Sequence, residues 1–359
     1  MAASHNYALI LAGGRGTRFW PHSRKRRAKQ VLNFFGDRSL IQQTVDRLRP
    51  MFPAGRIWVL TNEHVRQQIV RQLPEIPRAQ ILAEPVQRNT APVLGLAAHI
   101  LRGLDPDAVM AVFSADQLIQ KPARYRALLK PALQAAAQGR IAVLGIQPQR
   151  AETGFGYIEF PKGVQAGALR TWPVLRFREK PDLRTAERFL RQKRFYWNAG
   201  MFFWRADVLL EALRRYLPRT AALLAGLPAW GTRHFASRLR EIFPRCENIS
   251  VDYAVLEKAS NVVGVASDDI GWSDVGSWGA VYELLPKDAS GNVLRSEVIL
   301  EDAAGNYVDA PGKLTALVGV RNLVVVETPD ALLIVDREQA QRVGKVVKKL
   351  EQAGRDNLL

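Results

Sequence analysis

Leu11 to Pro21 reads LAGGRGTRFWP and follows directly on the apolar, β-branched run YALIL that ends at Leu11. A strand entering Gly13, Gly14 and Gly16 lets backbone N–H groups converge on phosphate oxygens without side-chain obstruction. Ala12 and Thr17 flank those glycines, and Arg15 and Arg18 add positive charge. The stretch is not a Walker loop, because no Gly-Lys-Ser/Thr follows. Nor is it a dinucleotide fingerprint, because Phe19 stands where a third glycine belongs. On these residues alone, a tight strand-to-helix turn explains the glycines as well as a phosphate cradle does.

Outward from this loop, short apolar runs alternate with amphipathic ones: SLIQQTVDRL, RIWVLT, EHVRQQIVRQL, QILAE, APVLGLAAHILRGL and AVMAVFSAD. That alternation predicts an α/β fold with a parallel sheet covered by helices. Ligands gather at the carboxyl ends of strands in such sheets, which directs attention to the residues after YALIL and AVMAVF. From about Ile141 the texture changes to aromatic strand-like pieces, GYIEF, VLRFREKP and NAGMFFW, among helical stretches such as LRTAERFLRQ and ADVLLEALRRYL. They predict an acceptor-binding half on the same sheet. A last section from about Gly291 predicts a small β-rich appendage closed by the basic helix REQAQRVGKVVKKLEQAG. No fixed-period repeat is apparent along the chain. The expected domains are 1–285 and 286–359.

The chain has 359 residues, 47% of them hydrophobic, enough for a large core. No apolar stretch approaches the roughly 18 residues of a membrane span, and MAASHNYALILAGG lacks a charged secretory leader, so a cytoplasmic protein without a membrane partner is expected. Cys246 is the only cysteine, which excludes an intrachain disulfide and a cysteine-built zinc site. The net charge of +17 raises the question of nucleic acid. The charge is spread over most of the chain without a zinc-finger spacing, an RNP-type strand or a long basic tail, so no nucleic-acid partner is expected. One stretch is locally biased: Arg15, Arg18, Arg24, Lys25, Arg26, Arg27 and Lys29 all precede Asp37, the first acidic residue. A basic field beside a glycine loop suits a small, highly charged phosphate ligand.

Other candidates have a structural reading beside the functional one. Lys29 in RRAKQVLNFFG is near enough to fold back on the loop, or is simply solvated. Arg88, Asn89 and Thr90 in LAEPVQRNTAP follow a strand and precede a helix; they could read a purine edge or only cap that helix. Asp116 after AVMAVFS and Asp274 in GWSDVGSW are two carboxylates from distant segments, which is what one Mg²⁺ needs at roughly 2.1 Å, yet a strand-end Asp is also a common cap. Glu179 and Lys180 in FREKP would point to opposite faces of a strand. Asn198 in WNAGMFFW sits among aromatics, as in a sugar pocket or a packed core strand.

In this order, LAGGRGTRFWP, AKQVL, EPVQRNTAP, SADQLI, GFGYIEF, FREKPD, WNAGMFFW, SVDYAVLEKA and WSDVGSW resemble the mannose-1-phosphate guanylyltransferases, a branch of the sugar-1-phosphate nucleotidyltransferases. The resemblance implies a Rossmann-like, glycosyltransferase-A-type domain with a mixed, mostly parallel sheet. It implies metal-assisted transfer of GMP from GTP to mannose 1-phosphate with Mg²⁺, or another divalent cation such as Mn²⁺. By position, Ala12, Gly13, Gly14, Gly16, Thr17, Arg18 and Lys29 would hold the triphosphate, Arg88 and Asn89 the guanine, and Asp116 and Asp274 the metal. Gly156, Tyr157, Glu179 and Asn198 would line the mannose site, and Lys180 would meet the sugar phosphate. The chain departs from the family pattern at Ala28, usually proline, at Gln117, usually histidine, and in SAD, usually a tighter Ser-Asp. Its length resembles the short, single-activity form. Homodimerisation is left open, as is another pair of substrates, such as glucose 1-phosphate with UTP, dTTP or ATP. A non-catalytic nucleotide-sugar-binding regulator would be expected to lack Lys29, Asp116 or Asp274, and all are present.

Overall fold

The computed structural model describes residues 5–359; the reading of the first few residues as lacking a leader lies partly outside them. Strand β1 (Asn6–Leu11) is the centre of a parallel set formed with β2 (Ile57–Asn62), β3 (Ile81–Glu84) and β4 (Val109–Ser114), in the order β3-β2-β1-β4. Strand alternation sends Ala8 and Ile10 into the core of one face and Tyr7 and Leu9 into that of the other. Both faces are covered by helices, which is why these strands read as continuous apolar runs. Helices α1 (Leu40–Leu48), α2 (Glu63–Gln72) and α3 (Thr90–Leu104) stand where the amphipathic runs put them. Ser39 and Gln42 close a capping box at the start of α1.

The sheet continues past β4 through Phe195–Arg205, Ile141–Ile146, Val262–Ser267 and Trp172–Pro173. Phe195–Arg205 runs antiparallel to both its neighbours, and its register shifts between Asn198 and Phe202, where Gly200 has φ +66°. That irregularity re-aims Asn198 at the carboxyl edge of the sheet. Among the described residues no helix is long and apolar enough to cross a membrane.

The last section holds a repeat that the sequence reading passed over. Val293–Leu294, Tyr307–Asp309 and Leu323–Thr328 stack in parallel, as do Val298–Glu301 and Thr315–Val318, giving a short parallel β-coil. Asn292, Asn306 and Asn322 begin successive rungs. The Asn306 amide donates to Asn292 Oδ1 at 3.1 Å, and the Leu323 N–H to Asn306 Oδ1 at 2.9 Å. Gly291, Gly305 and Asn322 all take positive φ at these corners. The signal was the recurrence of GN, GN and RN; unequal rung lengths hid its period. The helix Val343–Gln352 closes the coil, and Val343 and Val347 share a core with Phe19, Trp20 and Trp278 of the large domain.

Candidate functional site

At the carboxyl end of β1 the loop opens a cleft of about 600 Å³, lined by Ala12, Gly13, Gly14, Gln30, Glu84, Gln87, Asn89, Thr90, Ser114, Asp116 and Asn248. Gly16 adopts φ +66°, and a Cβ there would collide with the Lys29 side chain. Only glycine therefore lets Lys29 fold back over the loop. Lys29 is 5% exposed, on a single 3-10 turn, Lys29–Val31. Its ammonium donates to Asp116 Oδ2 at 2.9 Å and to the Asp274 carbonyl at 2.7 Å. The loop lysine, the strand-end Asp and the distant WSD segment thus meet at one point.

The two carboxylates feel that ammonium differently. Burial pushes Asp116 upward, but the Lys29 charge, with hydrogen bonds from Ser114 and Lys29, outweighs it and holds the carboxyl below its ordinary range. Ser114, at the end of β4, reaches Asp116 across Ala115, so the longer SAD spacing keeps the Asp anchored. Asp274 is held above its ordinary range by burial, which Lys29 and Arg18 oppose and Asp116 reinforces. Its charge is therefore the less compensated of the pair. Gln117 does not face the cleft: its amide donates to the Ala199 carbonyl at 2.8 Å and accepts from the Trp272 indole at 3.1 Å, tying the irregular strand to the Asp274 segment.

At the other wall of the cleft stands Glu84, the last residue of β3, 7% exposed, with Oε2 buried and without a hydrogen-bond partner. Burial raises its carboxyl to about 7, against a smaller opposing effect of the Arg88 backbone N–H. Asn89, at φ 64°, caps α3 through Thr90 N–H at 2.9 Å and still lines the cleft. Arg88 departs from expectation: its guanidinium donates to the Pro244 carbonyl, and it is not among the residues that line the cleft.

A second cluster forms beside Asn198. Glu179 and Lys180 are not on a strand, which ends at Arg178. Lys180 has φ 42°, a left-handed conformation in which its ammonium folds onto the Glu179 carboxylate instead of pointing to the opposite face. Burial alone would lower the Lys180 ammonium, but the hydrogen bond and charge of Glu179 hold it above its ordinary value. A Cβ on Gly156 would collide with Glu179 Oε2, so the glycine is what admits the carboxylate. Asn198 donates to Asp252 Oδ1 at 2.9 Å and accepts from Gly200 N–H at 3.0 Å. Tyr157 contributes no free hydroxyl: it is wholly buried, and its oxygen is bound to the Glu152 backbone at 3.0 Å.

Glu84 and Asp252 were missed as individuals although both lie in quoted motifs. Glu84 ends a parallel strand, the position at which ligands gather, and the neighbouring Arg-Asn drew attention from it. Asp252 opens a five-residue π-helical turn, Asp252–Leu256, a feature that recurs at functional sites and has no apolar period to betray it. Its carboxyl is raised to about 6, first by burial and then by Glu179. The basic stretch is also reassigned in part. Arg15, Arg24 and Lys25 pair with Glu351, Asp330 and Asp356 of the last section, so much of it is a seam between the two parts of the chain.

With this geometry the chain is similar to proteins already known. Residues 7–291 match the nucleotidyl transferase family, and residues 296–350 the MannoseP isomerase/GMP-like beta-helix domain. The mannose-1-phosphate guanylyltransferase of Escherichia coli is 39% identical over 348 residues, covering 96% of this chain and 74% of that protein. A putative mannose-1-phosphate guanylyltransferase of Vibrio cholerae is 38% identical, covering 97% of this chain and 75% of its own length. The crystal structure of mannose-1-phosphate geranyltransferase from Thermus thermophilus superposes with a TM-score of 0.83 at 32% identity, covering 97% of this chain and all of that one.

Proposed function

This chain belongs to the nucleotidyl transferase family, among the mannose-1-phosphate guanylyltransferases, and on that premise we propose that it transfers GMP from GTP to α-D-mannose 1-phosphate, giving GDP-mannose and pyrophosphate, in the cytoplasm. The observation that carries the reading is the buried Lys29 ammonium, shared between the Asp116 carboxylate and the Asp274 carbonyl. A sugar-phosphate oxygen attacks the α-phosphorus in line while pyrophosphate leaves opposite. The attacking phosphate is already anionic, so no protein nucleophile is required and the chain's task is to hold two repelling anions together.

The loop N–H groups of Gly13, Gly14 and Gly16, with Ala12 and Thr17 beside them, and the cations Arg18 and Lys29 hold the triphosphate. Asp116 and Asp274 would hold a divalent cation. Their oxygen donors, brought from two distant segments to one point at Lys29, suit Mg²⁺. Such an ion, when bound, would supply neutralisation of charge on the phosphate oxygens. Guanine would lie against Glu84 and Asn89. The N1–H and 2-amino donors of guanine suit the unpaired carboxylate, whereas adenine presents an acceptor at N1. Mannose hydroxyls would bond Glu179, Asn198 and Asp252 over Gly156 and the Tyr157 backbone, and Lys180 would leave Glu179 for the sugar phosphate.

Pyrophosphate release across a matrix of nucleotides and sugar 1-phosphates tests this reading. GTP with mannose 1-phosphate is expected among the best pairs; a clear preference for UTP, dTTP or ATP with glucose 1-phosphate would replace it with another member of the same chemistry.

A further inference from the structure

The phosphate loop does not rest on the large domain alone. Its turn Thr17–Phe19 lies against the C-terminal helix Val343–Gln352. Phe19 and Trp20 share a buried core with Val343 and Val347, and the Trp20 indole donates to the Leu358 carbonyl at 2.9 Å. A Cβ on Gly344, in the first turn of that helix, would stand 3.5 Å from Thr17 Oγ1 and 3.8 Å from Arg18 Cγ, so the helix approaches the loop to van der Waals distance.

Two loop cations are held from this side. Arg15 Nη1 donates to Glu351 Oε1 at 2.7 Å, and Arg18 Nη1 donates to Gln341 Oε1 at 2.6 Å. The partners differ in what they leave behind. Glu351 cancels the charge it binds, whereas the neutral Gln341 fixes the Arg18 guanidinium and leaves its full charge and other N–H groups available. An arginine has many rotamers to lose on binding an anion, and a side chain already restrained loses fewer.

We infer that Gln341 of the C-terminal section is a positioning residue for the donor triphosphate, holding Arg18 so that its free N–H groups face the phosphates. The β-coil and its helix thereby complete the donor site rather than merely cap the chain. The inference rests on the donor reading of the loop.

Gln341 is exposed, so Gln341→Ala is expected to fold with an unchanged melting temperature. Calorimetric titration of the full chain with GTP, and separately with inorganic tripolyphosphate, is expected to show both affinities about fivefold weaker in this variant. The KM for GTP rises in step while that for mannose 1-phosphate stays fixed, a split that general loosening of the fold would not produce. Arg18→Ala combined with Gln341→Ala is expected to bind no more weakly than Arg18→Ala alone. Asp302→Asn, which breaks the exposed Asp302–Arg321 pair on the coil, should change neither ligand. Unchanged tripolyphosphate binding by Gln341→Ala, additive losses in the double variant, or no tripolyphosphate binding by the parent would each overturn the inference. Tripolyphosphate carries no base and needs no sugar. A parent chain that binds it but prefers another substrate pair would therefore sink the guanine and mannose assignments while leaving the role of Gln341 standing.

Discussion

At the donor side of the sheet's carboxyl edge, Asp116 has a buried lysine 2.9 Å away that keeps it ionised. At the acceptor side, Glu179 and Asp252 crowd each other, their cation, Lys180, is shared through Glu179, and the Asp252 carboxyl rises to about 6. Asp116 and Asp252 thus sit under opposite electrostatics, one held ionised by a buried cation and the other pushed towards its neutral form. The difference follows their ligands. The proposed triphosphate calls for positive charge and, at Asp116, for a carboxylate already ionised for a cation, whereas sugar hydroxyls are neutral donors that acidic groups can accept from without charge balance.

Removing Lys29 should break this contrast most completely. Lys29→Met keeps the apolar stem beneath Gly16 but deletes the ammonium from Asp116 and Asp274. Turnover with GTP and mannose 1-phosphate is expected to fall about 10³-fold, as when one buried donor to developing charge is lost. Single-turnover rates at saturating substrates measure it. A variant within a few-fold of the parent would mean that Lys29 is a structural tie between the loop and the WSD segment and nothing more.

The contrast also marks what was legible in the sequence. The loop and Asp116 follow β1 and β4, where a parallel α/β pattern directs attention, whereas Lys29 and Asp274 outweighed their structural readings only through the family resemblance; the structure brings the four together. Arg88 misled because chain order places it between Gln87 and Asn89, both of which line the cleft, whereas its guanidinium donates to the tertiary carbonyl of Pro244. The Glu179–Lys180 pair misled because strand alternation does not extend the two residues past Arg178 to Lys180, which goes left-handed. The β-coil was illegible as a repeat because its rungs are unequal, and the Asn stack that defines it bonds across rungs. Contacts between Arg18 and Gln341 link positions 323 apart in the chain, and no local pattern reports such a pairing.

Glu84 sharpens the donor side, where it is the one carboxylate at the cleft wall with an unbonded buried oxygen in place of a cation. Glu84→Gln keeps the shape and replaces one acceptor oxygen by a donor amide. The kcat/KM for GTP is expected to fall about 30-fold while that for ATP changes little, since polar groups built to pair with one base are left facing the wrong edge of the other. Competition between the two nucleotides in pyrophosphate release reads the ratio directly. Equal losses for both would place Glu84 in the scaffold of the loop, against Gly13, rather than in base selection.

The smallest expected effect is on stability and comes from the acceptor side. The Asp252 carboxyl titrates at about 6 in the folded chain, against an ordinary value near 3.8. Between these values the folded chain keeps a proton that the unfolded chain has released, so this residue's contribution to stability falls as pH rises from about 4 to above 6. At pH 8 the half-buried carboxylate therefore costs on the order of 3 kcal/mol relative to acid. Asp252→Asn removes that penalty and keeps an acceptor for the Asn198 amide. Its gain in melting temperature over the parent is expected to be largest at pH 8 and to shrink towards pH 4. A gain independent of pH would assign the effect to packing in the π-helical turn, and a loss at pH 8 would mean that Lys180 already compensates both carboxylates. If the same group accepts sugar hydroxyls, as proposed, the stabilised variant should use mannose 1-phosphate less well. Asp252 would then be a residue kept for binding at the expense of the fold around it.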